Sequence, residues 1–518
     1  MDKIKLSNFR KIEDSWELEL SPITLFTGTN NSGKSTILKA LMLYSDFINS
    51  QNQIELAFDR SNSQKHKIDC YSNAINWKNS KEGDNYTSFS YSKDGFLISL
   101  KFYPLPKIQN EANFTKGRLE CLNVVRLQDN ASFTINYEAQ SEYQLNFDKR
   151  FFDDNQLSNI NEEIISLKEL KNSIAEEIKT LQVEYSQLEP SSLEAIKVNH
   201  SLEGFKQKEK EALKKIRSLQ GLIKKNSITW KPTINLSDSN VLKKTISSII
   251  ENVCFKDDKI KDVFFEDVDF FNVIVFSDLI KRALNFNVTH LSPRRNCQTR
   301  LYVNDETSSD IYELINQHSK RPIHKSSKAA SFIKKWMKEF KIGENYNIKS
   351  IEGMASIIEI LENNDSRNLV DKGFGAGQIF TILLKIGLEI DNLRFEKQHD
   401  LSSSIILIEE PEGNLHPALQ AKLAELFYDA YKNYGIKFIL ETHSEYIIRK
   451  IQLIVKEDKL VNEENPELNN NPFKIYYFDS EKGPYEMRFR EDGIFKDDFG
   501  PGFFDIASQY AVRLLRRN

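Results

Sequence analysis

Gly28-Thr29-Asn30-Asn31-Ser32-Gly33-Lys34-Ser35 satisfies the phosphate-loop pattern G-x-x-x-x-G-K-[ST] at every fixed position. The flanks suit it. Ile23-Thr24-Leu25-Phe26 reads as a short buried strand leading in, and Thr36 to Leu43 has the composition of a helix leading out. Glycines in such a loop let backbone N–H groups converge on phosphate oxygens, and the helix N-terminus adds partial positive charge. The expected nucleotide-binding residues are Gly28, Asn30, Asn31, Ser32, Gly33, Lys34, Ser35 and Thr36. Lys34 would reach the β- and γ-phosphates and the Ser35 hydroxyl would ligate Mg²⁺. The pattern implies a nucleoside triphosphate, with ATP and Mg²⁺ as the expected pair.

A second half of that site lies far along the chain. Ser404-Ile405-Ile406-Leu407-Ile408-Glu409-Glu410-Pro411-Glu412 is an apolar run ending in acids, the way a buried parallel strand delivers carboxylates to a sheet edge. Glu409 fits the group that holds the Mg²⁺ water shell, and Glu410 the group that polarises the attacking water. Downstream, Gly413-Asn414-Leu415-His416-Pro417 opens a helix, and Ile436 to Leu440 forms a further strand ending in Glu441-Thr442-His443-Ser444. Upstream, Asp371-Lys372-Gly373-Phe374-Gly375-Ala376-Gly377-Gln378 reads as a glycine-dense loop before an apolar helix, Ile379 to Ile386. Such a loop offers backbone N–H groups to an anion.

The 518 residues suffice for several domains, and 71 basic against 75 acidic side chains leave a net charge of −4. Whole-molecule charge therefore neither demands nor excludes nucleic acid. No apolar leader and no run of 18 apolar residues is present, so a cytoplasmic protein without membrane contact is expected. Cys70, Cys121, Cys254 and Cys297 form no C-x-x-C pair, and no zinc site is expected.

Five regions are expected. Residues 1–150 carry the phosphate loop and a β-rich lobe, with Gly95 to Tyr103 as one β-type run. In 151–230 an apolar seam runs from Leu157 through Ile174 and Ile178 to Leu188. Glu189-Pro190-Ser191-Ser192 interrupts it, and a second seam runs from Ala195 through Leu202, Ala212 and Ile216 to Ile223. Two seams about a proline turn describe a coiled-coil hairpin, with arms of about 48 Å at 1.5 Å per residue. Residues 231–350 link this insertion to 351–460, the second half of the head, and 461–518 form an extension. Phe332, Trp336 and Phe340 lie at helical spacing and read as core, while neighbouring lysines, among them Lys334, Lys335, Lys338 and Lys341, form either a solvated face or a nucleic-acid patch. The fold class expected is α/β, a head with a mixed sheet, a phosphate-loop core and a β lobe, interrupted by a helical hairpin.

Taken in order, the loop at 28–35, the glycine loop at 373–378, the acidic strand at 405–410, the turn at 413–417 and His443 resemble an ABC-type ATPase. The closer likeness is to the branch of the structural-maintenance, Rad50, RecF and overcoming-lysogeny proteins. Leu6-Ser7-Asn8-Phe9-Arg10 is similar to that branch's opening, as is Glu409 to Pro417. The resemblance implies that Arg10 belongs to the nucleotide site and that Glu410 is the catalytic base. It implies His443 as the switch histidine near the γ-phosphate, with Asn414 and His416 in the loop that crosses to a partner subunit. It also implies that Gly375, Ala376, Gly377 and Gln378 form a signature loop acting in trans, hence a homodimer around ATP. The signature loop lacks the usual serine, which implies slow turnover or ATP used as a clamp. Glu441 to Arg449 and the Phe499-Gly500-Pro501-Gly502-Phe503-Phe504-Asp505 tail resemble the ATPase subunits of anti-phage systems such as Septu, including retron-associated ones. That likeness implies an HNH-type effector nuclease as partner, with DNA or retron RNA–DNA as candidate ligands. The alternative is a DNA-repair ATPase of the RecF or Rad50 type. A transporter subunit is disfavoured by the great separation of Lys34 from Glu409.

Overall fold

The computed structural model describes residues 2–50, 55–56, 58, 66–82, 85–105, 115–139, 142–148, 158–186, 193–225, 227–230, 283–285, 287–296, 299–303, 309–396, 405–500, 503, 510 and 514. The expected turn at Glu189 to Ser192, most of the 231–350 link before residue 283, and the tail residues Pro501, Gly502, Phe504 and Asp505 lie outside them. The strands in chain order are β1 (Lys3–Phe9), β2 (Ile12–Glu19), β3 (Ile23–Gly28), β4 (Glu55–Leu56), β5 (Thr87–Lys93), β6 (Phe96–Pro104), β7 (Gly117–Arg126), β8 (Ser132–Ala139), β9 (Glu142–Asp148) and β10 (Ser227–Trp230). There follow β11 (Val288–Leu291), β12 (Tyr302–Val303), β13 (Asn345–Ile351), β14 (Ala355–Glu362), β15 (Asp365–Asn368), β16 (Ile405–Glu409), β17 (Lys437–Glu441), β18 (Phe473–Asp479) and β19 (Gly483–Glu486). The helices are α1 (Lys34–Asn49), α2 (Trp77–Glu82), α3 (Ser158–Ser186), α4 (Leu193–Lys225), α5 (Asp310–Lys320), α6 (Lys328–Glu339), α7 (Phe374–Glu396), α8 (Pro417–Tyr434) and α9 (Glu445–Glu457).

The chain divides into two units, one of Met1–Tyr91, Phe102–Arg118 and Leu284–Asn518, the other of Ser92–Lys101 and Leu119–Ala283. The first is built on a six-stranded sheet of order β11-β16-β17-β3-β18-β19, in which only β19 runs antiparallel. Its middle strands are continuous apolar runs because both faces are covered. All six residues of β3 are buried, as are Ile405 to Ile408 of β16 and Phe438 to Glu441 of β17. Parallel pairing brings the carboxyl ends of β3, β16 and β17 side by side, where α/β sheets bind ligands. Helix starts are sharply set. Pro417 begins α8 behind His416, whose ring accepts a hydrogen bond from the Ala418 N–H, and Gly435 ends it at φ 73°. Ser444 caps α9 by accepting from the Ile447 N–H.

An antiparallel sheet also belongs to this unit, with β13 along one side of β14 and β12 and β15 along the other, and with Ile358 and Ile360 facing the core. Phe332, Trp336 and Phe340 are buried in that core, as their spacing foretold. Lys335 pairs with Asp429 at 2.9 Å on the surface. In the other unit β8 pairs antiparallel with β7 and β9, and β9 with β10. There α3 packs on α4, burying Ile174, Ile178, Leu202, Ala212 and Ile216, all of them seam positions. The α/β class with its phosphate-loop core, β-rich lobe and helical hairpin is thus the observed one. Among the described residues no helix is long and apolar enough to cross a membrane.

Candidate ATP site

The loop between β3 and α1 takes its shape from two left-handed glycines. Gly28 has φ 133°, and a Cβ there would lie 2.3 Å from the Phe478 carbonyl oxygen, so β18 leaves no room for any side chain. Gly33 caps α1 at φ 109° beneath the half-buried Trp16 ring, and the Thr36 N–H donates to its carbonyl. Asn30 and Asn31 stand exposed at the crest, Asn31 itself left-handed at φ 62°, with its carbonyl accepting from the Lys11 ammonium. Ser32 turns inward, its hydroxyl donating to the Thr29 carbonyl at 2.7 Å. The Lys34 ammonium donates to the carbonyls of Thr29 (2.8 Å) and Gly28 (3.2 Å). Burial lowers its pKa, while Glu441 and Glu410 oppose that shift.

The strand ends opposite carry the acids. The Ser35 hydroxyl is shared between both carboxylate oxygens of Glu441, at 3.1 and 3.0 Å. Glu441 stands across from Glu409 in the β16–β17 register. Burial, then the charge of Glu409, pushes the Glu441 carboxyl up to about 7. Glu409 itself meets His290, whose Nε2 lies 2.7 Å from Oε1. Glu410 is exposed and its backbone is left-handed at φ 44°, with its N–H donating to the Glu441 carbonyl at 2.8 Å. The His443 N–H donates to the half-buried Glu412 carboxylate at 2.7 Å, and burial raises the pKa of that carboxyl. Burial and then Lys34 lower the His443 pKa, against the pull of Glu410, which favours the neutral imidazole.

Several expectations change. The glycine segment is not a loop before a helix at Ile379, because α7 already begins at Phe374. Gly375, Ala376 and Gly377 form its first turn. There a Cβ on Gly377 would lie 1.8 Å from Asn296 Nδ2, and one on Gly375 3.0 Å from the Asn414 carbonyl oxygen. Gln378 is buried, and its Oε1 accepts from Arg295 of the same chain at 3.0 Å. Arg10 is half-buried, and its guanidinium lies 3.5 Å from the Asn73 carbonyl, with no hydrogen bond to the phosphate loop among the described contacts. Of the expected metal ligands, Ser35 is held by Glu441 and Glu409 by His290.

Four contributors were missed by sequence reading: Glu441, His290, Arg295 and Lys11. Glu441 had a usable signal, because Phe438-Ile439-Leu440-Glu441 repeats the apolar-run-then-acid pattern of Ile405 to Glu409. Arg295 had none, as its partners are Gln378 and the carbonyls of Glu409 and Glu410. Among the described residues no group of three His, Cys, Asp or Glu side chains forms a metal cage. A serine hydroxyl and two neighbouring carboxylates are nonetheless hard oxygen donors, the type Mg²⁺ takes in small number when phosphates and water complete its shell.

A family profile described as an AAA ATPase domain matches residues 1–448. The chain belongs to that family. As an AAA-family ATPase its phosphate loop, acidic strand ends and His443 all fall inside the matched span. No curated protein matches the chain. Among solved structures the ATPase is similar to the Smc head domain with an extended coiled coil from Pyrococcus furiosus, bound to the C-terminal domain of ScpA. The identity is 12%, the cover 99% of each chain and the TM-score 0.32. It is also similar to the SMC head domain from Thermotoga maritima, at 10% identity, with 92% of this chain and 93% of that chain covered and a TM-score of 0.31.

Proposed function

We propose that this AAA-family ATPase binds ATP with Mg²⁺, closes around it with a second copy, and hydrolyses it slowly. In this reading the closed dimer serves as a latch that controls a separate effector nuclease in anti-phage defence. The observation that carries the catalytic part is the convergence of Lys34, the Ser35–Glu441 pair, Glu410 and His443 at the carboxyl ends of β3, β16 and β17.

Lys34, now resting on loop carbonyls, would turn its charge to the β- and γ-phosphates. Ser35, Glu441 and Glu409 would hold Mg²⁺, which supplies charge neutralisation on the phosphate oxygens when bound. Glu410 faces solvent on a strained backbone and would take the proton of the attacking water as its oxygen bonds to the γ-phosphorus and the ADP oxygen leaves. A neutral His443 would donate a hydrogen bond to the γ-phosphate without adding charge. Gly375 and Ala376, half-buried in the first turn of α7, would meet the partner copy's nucleotide through backbone N–H groups. The effector role rests on the sequence likeness in Glu441 to Arg449 and the 499–505 tail.

The test is Glu410→Gln with ATP. Hydrolysis should fall about 100-fold or more while ATP binding is kept and a dimer accumulates on size exclusion. Unchanged turnover would remove Glu410 as the base. DNA-stimulated hydrolysis without a nuclease partner would favour a DNA-repair role.

A further inference from the structure

Arg295 is the bulkiest fully buried side chain among the described residues. Burial draws its pKa down to about 10, with Asp310, Glu412, Glu410 and Glu409 opposing that shift. A guanidinium without solvent needs partners, since an uncompensated buried charge is strongly destabilising. Its hydrogen bonds go to a side-chain amide and two main-chain carbonyls. One terminal nitrogen donates to Gln378 Oε1 at 3.0 Å, the other to the carbonyls of Glu409 at 2.5 Å and Glu410 at 2.8 Å. Its own main chain is anchored, because the Ile311 N–H of α5 donates to the Arg295 carbonyl at 3.0 Å. The guanidinium is therefore a strut from a fixed base.

The two things it joins are both unusual. On one side is the first turn of α7, where Gly377 lets Asn296 lie directly on the helix backbone. On the other is the peptide of Glu410, held at φ 44°, where a non-glycine residue is strained and persists only if neighbours over-determine it. Three contacts hold it: Glu410 N–H to Glu441, Gly413 N–H to Glu410, and Arg295 to the carbonyls on either side. One of those three comes from a residue tied to α7.

We infer that Arg295 is a positioning residue that ties the first turn of α7 to the backbone carrying Glu410, so that a shift of α7 on dimer closure resets the base in the same protomer. This rests on the reading of Glu410 as the base. It makes closure on one nucleotide felt at the other site, since the turn that meets the partner's ATP is the turn that holds Arg295 through Gln378.

The test cuts the tie at Gln378, which spares the buried charge its larger loss. In the full-length protein, Gln378→Leu should lower kcat for ATP about 30-fold, a size typical of a misplaced catalytic group, with KM within about twofold. Gln378→Glu, which restores an acceptor for Arg295, should recover at least about half of the wild-type kcat. In a Glu410→Gln background, Gln378→Leu should still dimerise with ATP, which separates positioning from failure to close. A kcat within about twofold of wild type for Gln378→Leu, or a Gln378→Glu variant as slow as Gln378→Leu, overturns the tie. So does loss of the ATP-dependent dimer in the Glu410→Gln background. If Glu410→Gln alone leaves hydrolysis unchanged, the catalytic reading falls and the tie with it. If Glu410→Gln abolishes hydrolysis but Gln378→Leu does not slow it, only the tie falls.

Discussion

Glu409 and Glu441 end neighbouring parallel strands at the same register, one residue type in one position of one pattern. Their surroundings differ completely. Glu409 is on the β11 side and is taken by His290. Glu441 is on the β3 side, where Ser35 spans both its oxygens, and burial and Glu409 raise its pKa against the pull of Lys34. A carboxylate's task at a sheet edge is thus set by which strand lies beside it. The acidic doublet Glu409-Glu410 draws attention in the sequence, yet the solitary Glu441 is the acid in contact with the loop.

The largest expected effect removes the cation that faces the Glu441 side. Lys34→Ala should weaken ATP binding about 100-fold by calorimetry, because a charge-assisted contact to phosphate is lost. Next, the two acids should separate when the metal is read directly. With ATP present, Glu441→Gln should weaken Mn²⁺ binding, followed by electron paramagnetic resonance, about tenfold, and Glu409→Gln only about threefold. The reverse order would return the metal shell to Glu409 and undo the contrast.

The pH dependence is smaller and has a definite sign. The folded Glu441 carboxyl titrates at about 7, above the ordinary 4.5. The nucleotide-free fold therefore holds more protons than the unfolded chain between those values, and stability from this group is lost as pH rises through about 7. The melting temperature should fall from pH 5 to pH 7.5, and Glu441→Gln should flatten that slope, while Glu409→Gln, which removes the second cause of the shift, should flatten it less. An unaltered slope in Glu441→Gln would show that another group titrates. The smallest effect lies on the Glu409 side. His290→Gln, which can still donate to Glu409, should change stability by less than about 1 kcal/mol in urea, whereas His290→Leu should cost about 1–3 kcal/mol. Equal losses would mean that ring packing, and not the hydrogen bond, is what His290 contributes.

Much of the head was legible because its signals are local. The phosphate loop is a run of eight residues with its own backbone logic, and buried parallel strands advertise themselves as apolar runs ending in polar groups. The hairpin seam was legible for the same reason, since Ile174, Ile178, Leu202, Ala212 and Ile216 recur at helical spacing. The start of α7 was not. Glycine disfavours helix by about 1 kcal/mol, so Gly373 to Gly377 read as loop. Tertiary contact decides otherwise, because only hydrogen fits where Asn296 meets Gly377.

The sequence by itself determined that a phosphate loop, an acidic strand end and a histidine just past a second such strand exist, and that they are joined by apolar strands on a mixed sheet. Each is a property of a short segment and its immediate neighbours. Only the tertiary structure decided that Ser35 meets Glu441, that Glu409 meets His290, and that Arg295 joins Gln378 to the Glu410 peptide. Those pairings depend on strand order and parallel register, which bring together residues 83 to 406 positions apart that share no pattern in the chain.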